Sequence, residues 1–179
     1  LQEVVGYSET SACRRTFLLN YFGEQYNAKE CNKMCDNCKT PPQKVSVEGE
    51  LKLALEVIAE LREEFKIKTL VDFLIGNTSK EILDYGFDKF VNFGKGKDKE
   101  QIFWTSVYSH ILLSGMAKKE IEEYGIVKLT DAGRSFIDKP FKQEIPINKD
   151  FEKLTSDFDV EDTVKVTVLD KALLGLLKD

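Results

Sequence analysis

No apolar run in this sequence approaches the roughly 20 residues that cross a bilayer, and the opening residues LQEVVGYSETSA lack the basic-then-apolar order of a secretory signal. A soluble, intracellular chain without a membrane partner is the expectation. Proline is scarce at 4 residues and glycine reaches only 11, which disfavours collagen and low-complexity sequence, while 42% apolar residues disfavour disorder. Basic charge is short as well: 26 Lys and Arg against 31 Asp and Glu give a net of -5, whereas nucleic-acid binders are usually basic. The deficit is spread along the chain, so any nucleic-acid contact must be a local patch. Lys89, Lys95, Lys97 and Lys99 offer one, opposed there only by Asp88 and Asp98. There is no G-x-x-x-x-G-K-[S/T] phosphate loop, so this chain is not expected to hydrolyse ATP. The sole tryptophan and sole histidine, Trp104 and His110, read as packing residues, because no acid or nucleophile constellation surrounds them.

What is present is a cluster of cysteines. Cys13, Cys31, Cys35 and Cys38 all fall in the first 38 residues, and none follows. A tetrahedral zinc site needs four soft or borderline ligands, and short Cys-x(2 or 3)-Cys spacing lets one turn present two thiolates to one ion. Cys31-x3-Cys35-x2-Cys38 supplies three ligands from one knuckle and Cys13 the fourth, a closed set with no open position for a substrate. Structural zinc is the leading reading, and a metal-dependent hydrolase is excluded by the missing position. Two disulfides are disfavoured by the absent signal, and a redox pair at Cys35 and Cys38 lacks a thioredoxin-like βαβ context. An iron–sulfur cluster also uses four thiolates, and spacing alone leaves it open. Between the first two cysteines Phe17, Leu18, Tyr21 and Phe22 recur at helical spacing, with Ser8 or Thr10 as the cap and Gly23 as the stop. Arg14 and Arg15 follow the ligand Cys13, positioned either to pair with acids such as Glu24 or to contact phosphate.

Thr40, Pro41 and Pro42 break the chain, giving a zinc-binding subdomain over residues 1–40. A second unit spans 48–138. Leu51, Leu55, Ile58, Leu61 and Phe65 mark an amphipathic helix of about 16 residues from Glu48. Residues 69–75 form a short apolar helix stopped by Gly76 and Asn77, and 79–90 form a third, capped by Thr78 or Ser79 with Glu81 completing an S/T-x-x-E box. A glycine-rich loop at 94–99 leads to a long helix over 99–114. The period then changes to 2: residues 116–121 and 126–129 read as strands joined at Glu123-Tyr124-Gly125, and Thr130-Asp131 cap a last helix through Phe136. The expected fold class is mostly α with a small β-hairpin, a helical four-cysteine subdomain followed by a winged helix. Residues 139–168 read as a loosely packed linker, and 169–179 as the start of a further helix.

The run 13-CRRTFLLNYFGEQYNAKECNKMCDNC-38 closely resembles the zinc-binding region of RecQ-family DNA helicases, where CRR, LL-x-YFGE and CDNC recur in that order. Residues 84-DYGFDKF-90 and 94-GKGKDKEQIFW-104 resemble the winged-helix part of the same region, termed RQC, and Leu169 onward resembles the first helix of the HRDC domain. The short cysteine spacing is similar to that of bacterial members, although these usually place two residues where this chain has three between Cys31 and Cys35. The resemblance implies the non-motor DNA-binding region of a 3'-to-5' ATP-dependent DNA helicase of repair and recombination. ATP and Mg2+ would belong only to the full-length parent, and the location would be cytoplasmic, with the bacterial nucleoid. It implies sequence-independent contact with duplex, forked or junction DNA. The candidate contacts are Arg14, Arg15, the helix start Thr78, Ser79 and Lys80, the loop Lys95, Lys97 and Lys99, and Tyr124 at the hairpin tip stacking on a terminal base pair. Single-stranded-DNA-binding protein is a further candidate partner. The reading that competes is a zinc-stabilised winged-helix transcription regulator or protein-docking module.

Overall fold

The computed structural model describes residues 2–120 and 122–148. Helices α1 (Gln2–Glu9) and α2 (Arg14–Tyr21) open the chain. The cap expected at Ser8 or Thr10 forms at neither. Ser8 Oγ donates to the Val5 carbonyl inside α1, Thr10 Oγ accepts from the Ala12 N–H, and α2 starts directly after Cys13. Gly23 ends the following turn with φ +81°, as its position after Phe22 suggests. A 3-10 turn (Ala28–Cys31) and the single-turn helix α3 (Asp36–Lys39) then make up the cysteine knuckle.

The second unit consists of β1 (Lys44–Ser46), α4 (Glu48–Glu60), α5 (Ile67–Ile75), α6 (Lys80–Asp84), α7 (Gln101–Leu113), β2 (Ala117–Glu120), β3 (Ile126–Leu129), α8 (Asp131–Asp138) and β4 (Glu144–Pro146). It is the expected winged helix, helices first and a β-hairpin wing after them. Leu51, Ala54, Leu55 and Ile58 of α4 and Trp104, Val107, Tyr108 and Ile111 of α7 follow the i, i+3, i+4, i+7 rule and are all buried. Helix α5 packs against both, burying Leu70, Val71, Phe73 and Leu74 and so presenting apolar surface on more than one side. The Tyr108 hydroxyl is satisfied inside this core by the Ala54 carbonyl at 3.3 Å.

Two helices stop well short of the pattern reading, each for a local reason. Helix α4 stops at Glu60, because Arg62 and Glu63 take φ near +60°. Phe65 therefore lies outside the helix, where its carbonyl accepts the Val127 N–H of the wing at 3.0 Å. The strained pair is held by the Glu63 carboxylate, which accepts from the Leu129 N–H at 3.0 Å and from Arg134 at 2.5 Å. The third helix ends at Asp84 instead of running on to residue 90, since Gly86 turns left-handed at φ +67° and only a 3-10 turn (Phe87–Lys89) follows. Its cap is Ser79, whose Oγ accepts the Ile82 N–H. The reciprocal box is replaced by a bond from Thr69 Oγ to Glu81 Oε2 at 2.5 Å, which ties α6 to α5.

The wing pairs β2 and β3 antiparallel, with Ala117 opposite Leu129 and Glu120 opposite Ile126. Thr130 caps α8 as expected, accepting the Gly133 N–H while its hydroxyl faces the Gly115 and Met116 carbonyls. Within the stretch expected as linker, β4 pairs with β1, Val45 opposite Ile145, and Ile145 is fully buried. A three-residue strand is too short to announce itself by periodicity. The expected helix over 169–179 and the rest of the expected linker lie outside the described residues.

Candidate metal centre and nucleic-acid interface

All four cysteine Sγ atoms lie within 4.8 Å of one another, and none is in a disulfide. A Zn–S length of about 2.3 Å places the sulfurs of a tetrahedral site about 3.8 Å apart, so this set fits one ion with small adjustments. A multi-iron cluster needs more room between its thiolates than these sulfurs leave.

Three of the four ligands sit at the edge of a short element. Cys13 precedes α2, Cys31 closes the 3-10 turn, Cys35 precedes α3 and Cys38 is inside it. The additional residue between Cys31 and Cys35 is absorbed by Asn32 and Lys33, both left-handed at φ 48° and 60°, while the Met34 N–H returns to the Cys31 carbonyl at 2.9 Å. Buried Asn37 fastens the knuckle to the Cys13 segment by donating to the Thr10 and Ala12 carbonyls at 2.7 and 2.8 Å. Burial pushes the Cys35 thiol up, but the backbone N–H groups of Arg14 and Cys38 and the neighbouring thiols outweigh it and bring it to about 7. Burial and the hydrogen bonds to Cys35 and Cys13 raise Cys38 instead. Backbone N–H groups aimed at a sulfur are the donors that a metal-bound thiolate needs.

Around this centre no aliphatic or aromatic side chain is buried. Between residues 4 and 40 the buried residues are Thr10, Ser11, Cys13, Cys31 and Asn37. The two arginines are engaged. Arg14 makes a two-pronged contact with Asp36, Nε to Oδ1 at 2.7 Å and Nη2 to Oδ2 at 2.8 Å, and also donates to the Tyr7 carbonyl. Its acidic partner is thus Asp36 where the sequence suggested Glu24. Arg15 is exposed, and a hydrogen bond with Tyr26 raises its pKa.

The candidate DNA contacts of the second unit gather at the C-terminal end of α5. The Gly94 N–H donates to the Phe73 carbonyl at 2.9 Å and the Gly96 N–H to the Leu74 carbonyl at 2.8 Å. The Trp104 indole in turn donates to the Gly96 carbonyl at 2.8 Å. A Cβ on Gly96 would lie 2.5 Å from the Trp104 ring, so only glycine fits. With Gly96 buried, Lys95, Lys97 and Lys99 are all exposed, as is Asp98 between the last two. Lys95 donates to Asn92 Oδ1 at 2.8 Å, and Lys99 lies 3.7 Å from Asp98. The Gly94 backbone also approaches Gly76, just before Thr78, Ser79 and Lys80, so the loop and the α6 start share one place in the fold. Thr78 and Lys80 are exposed there, while Ser79 Oγ is occupied as the cap.

Tyr124 is not brought to that cluster. It sits at the hairpin turn with φ +59° and 85% exposure, and Lys66 places Nζ 5.9 Å from its ring. Lys66 precedes α5, so this pair marks the opposite end of that helix. Sequence reading missed Lys66, because a contact between residues so far apart leaves no periodic trace. Among the described residues no helix is long and apolar enough to cross a membrane.

Comparison with known proteins gives two family matches, a RecQ zinc-binding region over residues 1–39 and an RQC domain over residues 41–154. Among curated relatives, the ATP-dependent DNA helicase RecQ of Pasteurella multocida is 27% identical over 149 residues, covering 82% of this chain and 23% of the relative. That of Haemophilus influenzae is 28% identical, covering 82% and 24%. ATP-dependent DNA helicase Q1 of Rattus norvegicus is 51% identical over 39 residues, 21% of this chain and 6% of the relative. The chain spans about a quarter of the length of the two bacterial relatives.

Proposed function

The chain belongs to the RecQ helicase family, carrying its zinc-binding region and RQC winged helix, and from that premise we propose that it holds duplex or forked DNA through sequence-independent phosphate contacts for a motor located elsewhere in the protein. The observation that carries this reading is the lysine loop. Two backbone hydrogen bonds and a tryptophan clamp fix Gly94 and Gly96, and Lys95, Lys97 and Lys99 are exposed in this loop, whose Gly94 approaches Gly76 just before the α6 start. Phosphate contacts of this kind position a duplex without reading its bases. The motor would bind ATP and Mg2+ and move 3' to 5', in repair and recombination on the bacterial nucleoid, with single-stranded-DNA-binding protein as a partner. Tyr124 would meet the terminal base pair of the fork. Arg14, engaged by Asp36, serves the metal knuckle before it serves phosphate, while exposed Arg15 remains a candidate contact.

The protein-docking reading applies to a different surface. Leu18, Tyr21, Phe22 and Met34 of the zinc region are exposed apolar side chains, which favour contact with protein over contact with phosphate.

Binding of a forked duplex across a salt series tests the proposal. Three neutralised phosphates predict a log-log slope of roughly -3, at about -0.9 per phosphate. A Lys95→Ala/Lys97→Ala/Lys99→Ala variant should bind with a much flatter slope, and equal slopes would remove the loop from the site.

A further inference from the structure

Tyr85 is a second exposed aromatic ring on the winged helix, and the phosphate contacts give it no role. It follows α6 directly and is 64% exposed, yet its ring is held in place. It stacks on Phe87 with an interplanar angle of 14° and a centroid distance of 5.4 Å, and it meets Phe65 edge-on at 5.3 Å. Phe87 also packs edge-on to Phe65, Phe73 and Phe90, so a chain of rings runs from the core to the surface and ends on Tyr85.

Phe65 links this ring to the wing. Its carbonyl accepts the Val127 N–H, and the next residue is Lys66, whose ammonium lies by the Tyr124 ring. Two exposed tyrosines and one cation are thereby assembled on the dipeptide Phe65-Lys66, at the N-terminal end of α5. The lysine loop occupies the other end. Nine helical residues separate the two, about 13 Å at 1.5 Å per residue, or roughly four base steps at 3.4 Å each.

We propose that Tyr85, together with Lys66 and Tyr124, forms a stacking site for unpaired nucleobases of single-stranded DNA, a refinement that rests on the DNA-holding function above. Every base has a π-face, so an aromatic platform accepts any sequence. A tyrosine already fixed by Phe87 and Phe65 loses little side-chain entropy when a base is added. Bases within a duplex are already stacked on each other, so the platform selects the unpaired arm of a fork. Charge is a minor contributor here, since Lys66 is accompanied by the exposed acids Asp84 and Asp88 near Tyr85. Single-strand binding at this end should therefore depend on salt by about -0.7 per phosphate for one phosphate, against the steeper slope of the loop.

The test uses the 179-residue chain, a forked duplex with 2-aminopurine in the single-stranded arm two bases from the junction, and a blunt duplex of the same sequence. In the parent chain, binding should quench or shift the 2-aminopurine emission. Tyr85→Ala should abolish that change and weaken fork binding about tenfold, with blunt-duplex affinity unchanged and the melting temperature lowered by the lost contacts with Phe65 and Phe87, while Tyr85→Phe should keep the emission change, the fork affinity and the melting temperature. Fork affinity and emission in Tyr85→Ala equal to those of the parent would overturn the platform. A chain that binds the blunt duplex but gains nothing from the arm sinks the platform and leaves the duplex-holding function intact, whereas a chain that binds neither DNA sinks both. Self-association that Tyr85→Ala abolishes, with no effect on the arm, would assign the ring to a contact between copies and also overturn it.

Discussion

Residues 4–40 and residues 44–146 reach a folded state by different means. The second region encloses an apolar core in which Leu51, Leu55, Ile58, Phe73, Trp104, Val107 and Ile111 are almost wholly buried. The first buries thiols, hydroxyls and one amide, and leaves Leu18, Tyr21 and Phe22 exposed. Apolar burial gives about 25 cal/mol per Å² of surface removed from water, and the cysteine region has almost none of it. Its order must come from the ion and from polar ties such as Asn37 to Thr10 and Ala12.

The largest effect that would sharpen this contrast is loss of a ligand. Cys31→Ser should forfeit most of a metal-binding free energy of order 10 kcal/mol, which in such sites is folding free energy. Helical signal from α1 to α3 should vanish while the Trp104 environment stays native, as read by circular dichroism and tryptophan fluorescence. Simultaneous loss of both signals would break the comparison. The reverse experiment is Leu55→Ala, a cavity in the apolar core worth about 2–5 kcal/mol. Denaturant melting should shift by that amount with one zinc per chain retained by elemental analysis.

Gly96→Ala comes next. Its new methyl meets Trp104 and costs about 1–3 kcal/mol of overpacking, so melting should fall and tryptophan emission should move to longer wavelength. Duplex binding should weaken with no lysine altered, because the clamp that aims the loop has opened. Asn37→Ala removes the two ties of the knuckle at a cost of about 1–2 kcal/mol. Competition with a zinc chelator should detect it as weaker metal retention, with core melting unmoved.

The smallest effect concerns His110, the sole histidine. Burial, aided by Lys44, holds its pKa below 6.5, and its buried Nε2 atom has no hydrogen-bond partner. The unfolded chain takes up the proton first, so stability present above about pH 6.5 is lost as pH falls toward the folded-state pKa. His110→Gln should flatten the melting temperature against pH in that window, relative to the parent. An unchanged profile would mean that the imidazole is solvated in the native state.

Much of this was legible in the sequence wherever a pattern is local. Helices α4, α5 and α7 follow from their apolar spacing, the wing from its alternation around Tyr124-Gly125, and the metal ligands from cysteine spacing. What could not be read depends on residues brought together from afar. The β1–β4 pairing joins Val45 to Ile145, Asp36 takes Arg14 from the nearer Glu24, and Phe65 leaves its helix to hold the wing. The early end of α6 was signalled by Gly86, but Phe87 and Phe90 continued an apolar pattern that masked it. The lysines of the loop were visible as charge. Their place beside the α6 start was not, because it is set by hydrogen bonds from Gly94 and Gly96 to the end of α5.

The most direct test of the contrast is hydrogen exchange with mass detection on the zinc-loaded chain and after chelation. The account predicts that protection across residues 4–40 collapses on metal removal while amides of α4, α5 and α7 keep theirs. Undiminished protection of the cysteine region in the metal-free chain would contradict it.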